Sequence, residues 1–277
     1  MGRFAEGIEK GGSKAMSVKP GVIIGRESFI GRLSKNLGRS ELSTSPPVRV
    51  EKGVPAFYAE RQLTKQEMLD LFIQHWTTLT GKVLLVSEAD AGPATSAYLR
   101  QVCEEHEVES VVRWEHEGLK QLGLDAHLVE HGIHVVPWKA EMEQYEAPIQ
   151  GSHDEGGIAS NWSQRSPLLQ AAEQSRLGVV WADFALAETG SVVLCAQGGN
   201  GRSVSLLPEV LFAVFRADQL VRRMGDAFSA MTADERYSKV WPSSVNIITG
   251  PSRSADIEND LTIGIHGPGK VYAVIIE

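Results

Sequence analysis

Residues 64–86 read TKQEMLDLFIQHWTTLTGKVLLV and predict a helix that leads into a buried strand. Thr64 and Glu67 form a capping-box pattern, and apolar residues then recur at helical spacing until Gly81 ends the run. The run Val83–Val86 is short and entirely apolar, as in a strand that is covered on both faces. This stretch therefore predicts one helix–strand unit of a layered α/β protein.

The same alternation continues along the chain. Further strands are predicted at Val111–Trp114, Ile133–Val136, Val179–Ala182, Val192–Cys195, Val210–Phe215, Val245–Thr249 and Val271–Ile276. Further helices are predicted at about 94–106, 124–131, 167–176 and 217–230. Strands that alternate with helices predict βαβ units, so the fold class is α/β with a mainly parallel central sheet flanked by helices.

Three regions are predicted along the chain. Residues 1–25 are polar and glycine-rich, and we expect a poorly ordered extension. Residues 26–47 comprise an N-terminal helical arm, which ends at Gly38, and a Ser/Thr/Pro linker. Residues 48–277 form the α/β domain, with an irregular, glycine-rich stretch at 146–166 as a candidate loop insertion.

Composition excludes several classes of protein. The chain has 277 residues, 27 Lys plus Arg and 35 Asp plus Glu, for a net charge of −8. This acidic balance argues against nucleic acid and anionic membranes as main partners. No apolar run approaches the ~18 residues of a membrane span, and no secretory apolar region is present, so we expect a cytoplasmic protein. The only cysteines, Cys103 and Cys195, are too few for an iron–sulfur cluster on this chain.

The pattern His127-x-x-Glu130-His131 is typical of zinc-binding helices. Positions i and i+4 place both imidazoles on one face, as metal ligation requires. The helical segment is only about two turns long, however, and a histidine near a helix C-terminus also interacts favourably with the helix dipole. We therefore predict no metal site.

The chain also lacks the P-loop, dinucleotide-binding and G-x-S-x-G patterns.

The most informative region is residues 183–208. Asp183 and Glu188 lie in the apolar segment ADFALAETG, where a carboxylate is either hydrogen-bonded or has a raised pKa. The loop GGNGRS then permits close backbone approach, and Arg202 within it can bind a carboxylate or phosphate. Ser205 offers a hydroxyl. The alternative is a flexible hairpin loop without a ligand.

Residues 249–258, TGPSRSADIE, follow a strand and combine Ser/Thr cap candidates with acidic residues. They predict a strand-to-helix turn, in which Arg253 would help to hold an anion. The alternative is a capped turn with no ligand. His266 lies in the tight turn HGPG before the last strand, where it could donate a proton or, as we favour, pack within the turn.

Four segments together resemble the lactate utilization protein C family, or LUD domain. They are ADFALAETG (182–190), GRSVSLLP (201–208), ITGPSRSADIE (248–258) and GIHGP (264–268), and the opening helix RESFIGRLSKNLGR (26–39) is also similar to that of the family. The resemblance is specific over 178–277. It implies a fold similar to the NagB/RpiA/CoA-transferase superfamily. It also implies a role in oxidising L-lactate to pyruvate with two iron–sulfur partner proteins, which would carry the clusters, while this chain carries no cofactor.

These observations predict one pocket for an anionic small molecule, gripped by Arg202 and Arg253. Its candidate ligand-binding residues are Asp183, Thr189, Gly190, Gly201, Arg202, Ser205, Thr249, Gly250, Ser252, Arg253, Asp256 and His266. The turn Glu188-Thr189-Gly190 also resembles the Glu-x-Gly turn that carries the catalytic glutamate of CoA-transferases. Glu188 is therefore the candidate catalytic residue, with a structural or ligand-orienting role as the favoured alternative.

Three functions remain open at the level of sequence. The first is an accessory or ligand-binding subunit of an L-lactate oxidation system. The second is a free-standing enzyme on CoA thioesters or sugar phosphates, which would use Glu188 as a nucleophile. The third is an assembly protein without a pocket, which would expose an apolar patch.

Overall fold

The structure is a computed structural model that describes residues 25–39, 62–139, 167–255 and 261–277. The chain divides into two units, residues 1–61 and 62–277. In the first unit, helix α1 (Arg26–Asn36) confirms the predicted arm helix, and Gly38 follows it with a φ of 69°. The predicted boundaries near residues 25 and 47 stay predictions, and the candidate loop insertion at 146–166 lies outside the described residues.

The second unit alternates strands and helices. Its elements are, in chain order, α2 (Lys65–Thr78), β1 (Lys82–Val86), α3 (Ala91–Glu105), β2 (Ser110–Arg113), α4 (Glu117–Gln121), α5 (Leu124–Glu130), β3 (His134–Pro137), α6 (Pro167–Gln174), β4 (Leu177–Trp181), β5 (Phe184–Leu186), β6 (Ser191–Ala196), α7 (Ser203–Leu206), β7 (Val210–Arg216), β8 (Leu220–Val221), α8 (Met224–Ala233), α9 (Glu235–Lys239), β9 (Ser244–Ile248), β10 (Arg253–Ala255), β11 (Leu261–Ile263) and β12 (Lys270–Ile276).

The central sheet has six strands, all parallel, in the order β1-β12-β7-β4-β2-β3. All five residues of β4 are buried, as are six of the seven in β7 and six of the seven in β12. Such two-sided burial is what a parallel sheet between helices requires. The predicted α/β class and its mainly parallel central sheet are therefore confirmed.

Helix α2 begins and packs as its sequence predicts. The Thr64 side chain accepts a hydrogen bond from the Glu67 backbone, and the Glu67 carboxylate accepts one from the Thr64 backbone, completing the capping box. Trp76 is fully buried and stacks on Phe72 at 5.6 Å between ring centroids. Its indole Nε1 donates to the Lys82 carbonyl at 3.1 Å, which joins the helix to the first strand.

A second sheet of four strands was not predicted. Its order is β8-β5-β6-β9, with antiparallel pairing of β6 to both β5 and β9. The helix predicted at 217–230 is wrong in its first half. The chain there forms a 3-10 turn at Ala217–Gln219 and the short strand β8, and helix α8 begins only at Met224.

The region after Thr249 also differs from its prediction. Residues Arg253–Ala255 are strand β10, which pairs antiparallel with β11. The predicted strand-to-helix turn at this place is therefore wrong, because backbone pairing with a later segment replaces the local helix. Within the described residues, no helix combines the length and apolar character needed to cross a bilayer.

Candidate ligand cleft at the carboxyl edge of the sheet

The central sheet has a topological switch point between β2 and β4. From β2 the chain moves outward to β3 at the edge of the sheet, and it then returns to β4 and continues to β7 in the other direction. Parallel sheets bind ligands outside the carboxyl ends of the strands at such a point. The residues that follow β2 and β4 are therefore the first place to look for a site.

The glycine-rich loop 197–202 lies over this edge. The Glu115 backbone N–H donates to the Gly199 carbonyl at 3.0 Å, and the Trp114 indole donates to the Gly201 carbonyl at 2.8 Å. A Cβ on Gly201 would lie 2.0 Å from the Trp138 ring, so the loop packs directly on the residue that follows β3. The loop is therefore held by residues beyond the ends of both β2 and β3, and it is not the hairpin loop considered as an alternative.

A cleft of about 260 Å³ is bordered by this loop. It is lined by Ala196, Gln197, Gly198, Asn200, Gly201, Arg202, Ser243 and Ser244, and we call it the Arg202 cleft. Arg202 is exposed, and none of the acidic side chains that the structure describes forms an ion pair with its guanidinium. A guanidinium that no described carboxylate neutralises, beside hydroxyl and amide groups, can bind a small anion that carries a hydroxyl group.

The walls of the Arg202 cleft are tied together by hydrogen bonds. The Gln197 side-chain amide donates to the Val240 carbonyl at 2.8 Å, and the Ser243 hydroxyl donates to the Ala196 carbonyl at 3.1 Å. Ser205 is buried, and its hydroxyl donates to the Arg202 carbonyl at 3.0 Å. Ser205 therefore supports the loop from behind and does not line the cleft.

Asp183 ties α9 to β6 and does not line the cleft. Its Oδ2 accepts a hydrogen bond from the Cys195 backbone at 2.8 Å, and its Oδ1 accepts one from the Tyr237 hydroxyl at 2.6 Å. Burial raises the pKa of Asp183, and these two donors act against that rise. The sequence predicted that a carboxylate in this segment is either hydrogen-bonded or has a raised pKa. Asp183 has both properties, and its contacts are structural.

Replacement of Tyr237 with phenylalanine is expected to lower the free energy of unfolding by about 2 kcal/mol near pH 7, because a buried carboxylate loses one of its two donors. The raised pKa means that Asp183 favours folding most below its unfolded value of about 3.9, and this contribution is lost as the pH rises through its folded pKa. The Tyr237→Phe penalty should therefore be smaller at about pH 4. Urea unfolding of the two proteins at about pH 7 and about pH 4 measures this penalty.

Tyr98→Phe is the matched control for this prediction. The Tyr98 ring is partly buried between Phe212 and Tyr272, and no hydrogen bond to its hydroxyl is formed within the described residues. We expect a change of less than about 0.5 kcal/mol. Equal losses in the two variants, or a Tyr237→Phe penalty that does not depend on pH, would contradict the role given to Asp183.

Sequence reasoning missed two aromatic groups beside the switch point. The His116 ring stacks on Trp181 at 5.2 Å between centroids, and its Nδ1 accepts a hydrogen bond from the Gly118 backbone. Burial lowers the pKa of His116, against the attraction of Asp183. Trp138, which packs on the loop, was missed as well. A lone histidine and a lone tryptophan carry no spacing pattern, so the sequence offered nothing to find them by.

The remaining candidate residues gather at the opposite end of the second sheet. In the β6–β9 pairing, Ala196 lies opposite Ser244 at the Arg202 cleft, whereas Val192 lies opposite Ile248 near Glu188. Ala196 lies four residue steps along β6 from Val192, which is about 13 Å at ~3.3 Å per residue. The Glu188 end, as we call it, comprises Glu188, Thr189, Gly190, Ser191, Thr249 and Gly250.

The Glu188 end is tightly packed. Glu188 Oε1 lies 3.6 Å from Nε of the largely buried Arg222, and the Glu188 backbone donates to the Arg222 carbonyl. The buried Ser191 hydroxyl lies 2.7 Å from that of Thr189 and 2.6 Å from that of Thr249. The contact with Arg222 is compatible with a structural role for Glu188, and its candidate catalytic role stays a prediction.

Gly190 and Gly250 join this end to helix α2 and the residues after it. Gly190 has a φ of 57°, and a Cβ on it would lie 2.6 Å from the Trp76 backbone nitrogen. A Cβ on Gly250 would lie 2.8 Å from the Leu79 side chain. These glycines are therefore required for packing, which accounts for them without a ligand.

Arg253 also lies beyond this end, where its Nη2 donates to the Leu79 carbonyl at 3.0 Å. The structure does not bring Arg202 and Arg253 together, and the interpretation of one pocket that holds both arginines is wrong. Two local sequence patterns had suggested it, but the antiparallel register of β6 and β9 separates them.

The last candidates belong to the turn before β12. The Ser252 hydroxyl accepts a hydrogen bond from the His266 backbone at 3.3 Å, and the Ser252 backbone donates to the Pro268 carbonyl at 2.8 Å. His266 is exposed on this turn. Asp256 lies outside the described residues. Neither Ser252 nor His266 lines the Arg202 cleft.

The histidine pattern on α5 forms a compact local contact. The rings of His127 and His131 lie 4.7 Å apart, and His131 Nδ1 donates to the His127 carbonyl at 2.8 Å. In the parts of the chain that the structure describes, no group of three or more His, Cys, Asp or Glu side chains is arranged to hold a metal ion.

Fold and cleft define an α/β protein with an all-parallel six-stranded sheet and a cleft bordered by the loop that packs on the carboxyl edge of this sheet. A family model described as the LUD domain matches residues 69–276, and the chain belongs to this family. The similarity to a DUF162 family protein from Deinococcus radiodurans, with a TM-score of 0.50 at 18% identity, covers 78% of this chain and all of that one, and it supports the fold.

Curated relatives are similar over nearly their whole length. The lactate utilization protein C of Halalkalibacterium halodurans is 29% identical over 255 residues, which cover 91% of this chain and 97% of that protein. The protein of the same name from Macrococcus caseolyticus is 30% identical, with 93% and 98% covered. The uncharacterized protein YkgG of Escherichia coli is 32% identical, with 91% and 98% covered.

Proposed function

We propose that this protein is a cytoplasmic, ligand-binding accessory subunit of an L-lactate oxidation system that produces pyruvate. Two iron–sulfur partner proteins would carry the redox centres, and this chain would carry no cofactor of its own. The names of its relatives support a role in lactate utilization. With two cysteines, both buried, the chain offers no cysteine set for a cluster, which is consistent with this division of labour.

The observation that carries the proposal is the exposed side chain of Arg202 in the cleft bordered by the loop 197–202. A guanidinium can bind both oxygens of a carboxylate, and this bidentate geometry is specific as well as strong. Asn200 and Ser244 line the same cleft and can hydrogen-bond an α-hydroxyl group. L-Lactate carries both groups on adjacent carbons, and a cleft of about 260 Å³ suits so small an anion.

In the proposed function this chain binds and orients lactate, and the electrons removed from lactate pass to the partner proteins. Arg202 would fix the carboxylate, while the loop 197–202 stays in place because Trp114 and Glu115 hold it from below. A fixed carboxylate and a hydrogen-bonded hydroxyl leave the Cα–H bond in one orientation. Orientation of this kind is the contribution that a binding subunit makes to a reaction completed by others.

The substitution Arg202→Gln is expected to weaken L-lactate binding at least about tenfold, because charge-assisted hydrogen bonds contribute ~1.5–3 kcal/mol. Calorimetric titration of the purified chain measures it. Arg253→Gln is the matched control, an exposed arginine at the Glu188 end that should leave binding unchanged. Absence of L-lactate binding to the unaltered chain, or equal losses in the two variants, would refute the assignment of the cleft.

The partner proposal has its own test. The tagged chain is purified from lactate-grown cells, and the proteins that come with it are identified by mass spectrometry. We expect two cysteine-rich proteins in amounts comparable to the chain. Recovery of the chain alone at native abundance would contradict the multi-subunit system.

The second candidate is a free-standing acyltransferase that uses Glu188. Its carboxylate would attack a thioester carbonyl, form a mixed anhydride and release the CoA thiolate. The resemblance of the Glu188-Thr189-Gly190 turn to the Glu-x-Gly turn of CoA-transferases favours it, whereas the ion pair of Glu188 with Arg222 favours a structural role. This candidate predicts turnover of a CoA thioester by the purified chain alone and a covalent adduct on Glu188. Absence of both would remove it. The cleft itself counts against a pure assembly protein, which was expected to have no pocket.

A further inference from the structure

A second cleft lies at the opposite edge of the central sheet, where the strands begin. It encloses about 560 Å³. Arg176 and Glu209 immediately precede β4 and β7, and Lys270 is the first residue of β12. His106, which follows α3, completes the polar lining. We call it the amino-edge cleft, and it shares no lining residue with the Arg202 cleft.

The polar lining of the amino-edge cleft is mainly basic. Arg176 Nε contacts Glu209 Oε2 at 3.0 Å, and both side chains are substantially exposed. An exposed ion pair of this kind contributes little to stability. Arg176 can therefore exchange its contact with Glu209 for one with a ligand, and the protein loses little stability. None of the acidic side chains that the structure describes forms an ion pair with Lys270. In a chain with a net charge of −8, this clustering of cations points to an anionic ligand.

His106 forms the inner wall of the cleft. Its Nε2 lies 2.7 Å from the hydroxyl of the buried Tyr272, which fixes the ring. Burial lowers the pKa of His106, and Lys270, Lys82 and Arg176 lower it further, while Glu105 acts in the opposite direction. Lys82 is ion-paired with Glu105 and Arg176 with Glu209, so Lys270 is the nearby cation that no described carboxylate neutralises. A bound anion beside Lys270 would favour the protonated imidazole.

The lining of the cleft also includes an exposed apolar side chain. Ile263 of β11 lines the cleft and is 54% exposed, and Leu261 on the same face of the strand is 60% exposed. Inorganic anions gain nothing from an apolar surface, whereas an organic anion can cover it and remove apolar area from water. The combination of cations and an exposed isoleucine in one lining favours an organic anion.

We propose that the amino-edge cleft binds a small organic dianion, a phosphate monoester or a dicarboxylate, through Arg176, Lys270 and His106. Its anionic group lies between the guanidinium and the ammonium, and its carbon skeleton packs against Ile263. This site is separate from the lactate site, because it lies at the other end of the parallel strands. It does not depend on the function proposed for the Arg202 cleft.

The test is calorimetric titration of the full chain with phenyl phosphate and with succinate, at an ionic strength held constant with sodium chloride. We expect saturable binding of at least one dianion at one site, and the tighter of the two identifies the class of anionic group. Lys270→Gln and Arg176→Gln should each weaken this binding at least about fivefold, since each removes one charge-assisted contact. Both side chains are exposed, so both variants should fold.

Arg202→Gln is the matched control, and it should leave dianion binding unchanged. A second measurement follows the His106 imidazole by NMR, where the bound dianion should raise the pKa of this group. The proposal is overturned if neither dianion binds saturably, if Lys270→Gln and Arg176→Gln bind as the unaltered chain does, or if Arg202→Gln removes the binding.

Discussion

Replacement of Gly178 with alanine is expected to lower the free energy of unfolding by about 3 kcal/mol, at the upper end of the losses from overpacking. Gly178 is the second residue of the buried strand β4, and a Cβ there would stand 1.9 Å from the carbonyl oxygen of Val204 and 3.2 Å from Pro208. A backbone oxygen cannot rotate away as a side chain can. The chain from Val204 to Pro208 would have to move as a unit away from the sheet.

The measurement is urea unfolding of the full chain, followed by circular dichroism. Gly225→Ala is the control, because a Cβ at this position in α8 would meet nothing closer than an Arg223 side-chain nitrogen at 4.0 Å. In a helix, alanine is favoured over glycine by about 1 kcal/mol, so this variant should be neutral or more stable. A Gly178→Ala protein as stable as the unaltered chain would show that α7 does not pack on β4 as described.

Local sequence patterns predicted most of the central sheet. The capping box at Thr64 and the apolar run Val83–Val86 act within a few residues, so their structure can be inferred without knowledge of the rest of the chain. The second sheet could not be predicted in this way. Its strands β5 and β8 have three and two residues, too short for any periodicity to be recognised. Pairing with distant residues, not local pattern, makes them strands.

The candidate site shows the same limit. Loop composition alone predicted a ligand role for Arg202, and the structure places that residue in a cleft. The distance between Arg202 and Arg253 depends on the register of β6 with β9, which no local pattern reveals. Asp183 was predicted from its apolar surroundings, but its donor Tyr237 lies far along the chain. Individual candidate residues can therefore be predicted from sequence, whereas the tertiary structure is required to show which of them lie in one site.

The second large effect is expected at Arg113, the buried cation beneath the loop of the Arg202 cleft. Its guanidinium donates to both carboxylate oxygens of Asp125, at 2.7 and 2.5 Å, and to Glu115 and the Trp114 carbonyl. Arg113→Met keeps much of the volume but removes the charge, and we expect a loss of about 3 kcal/mol. Because Glu115 and Trp114 hold the loop, L-lactate binding at Arg202 should weaken in the same variant.

The loss of stability caused by Arg113→Met should also depend on pH. Burial tends to raise the pKa of Glu115, but Lys120, Arg113 and Lys139 together hold it below its usual value. A lowered pKa stabilises the fold above the unfolded value of about 4.3, and this stability is lost as the pH falls through the folded pKa. The difference between Arg113→Met and the unaltered chain should therefore be largest near neutral pH and smaller in acid.

Arg100→Met is the matched control, which separates the effect of losing a buried charge from the effect of losing an exposed one. Arg100 pairs with Glu104 on the exposed face of α3, so its loss should cost less than about 1 kcal/mol. Chemical unfolding at about pH 7 and pH 4 compares the two variants, and lactate titration follows the cleft. If Arg113→Met lowers stability no more than Arg100→Met, the ion network does not support the sheet edge. If it lowers stability but leaves lactate binding intact, the cleft is built without Arg113, and the loop 197–202 must be held by its contact with Trp138 instead.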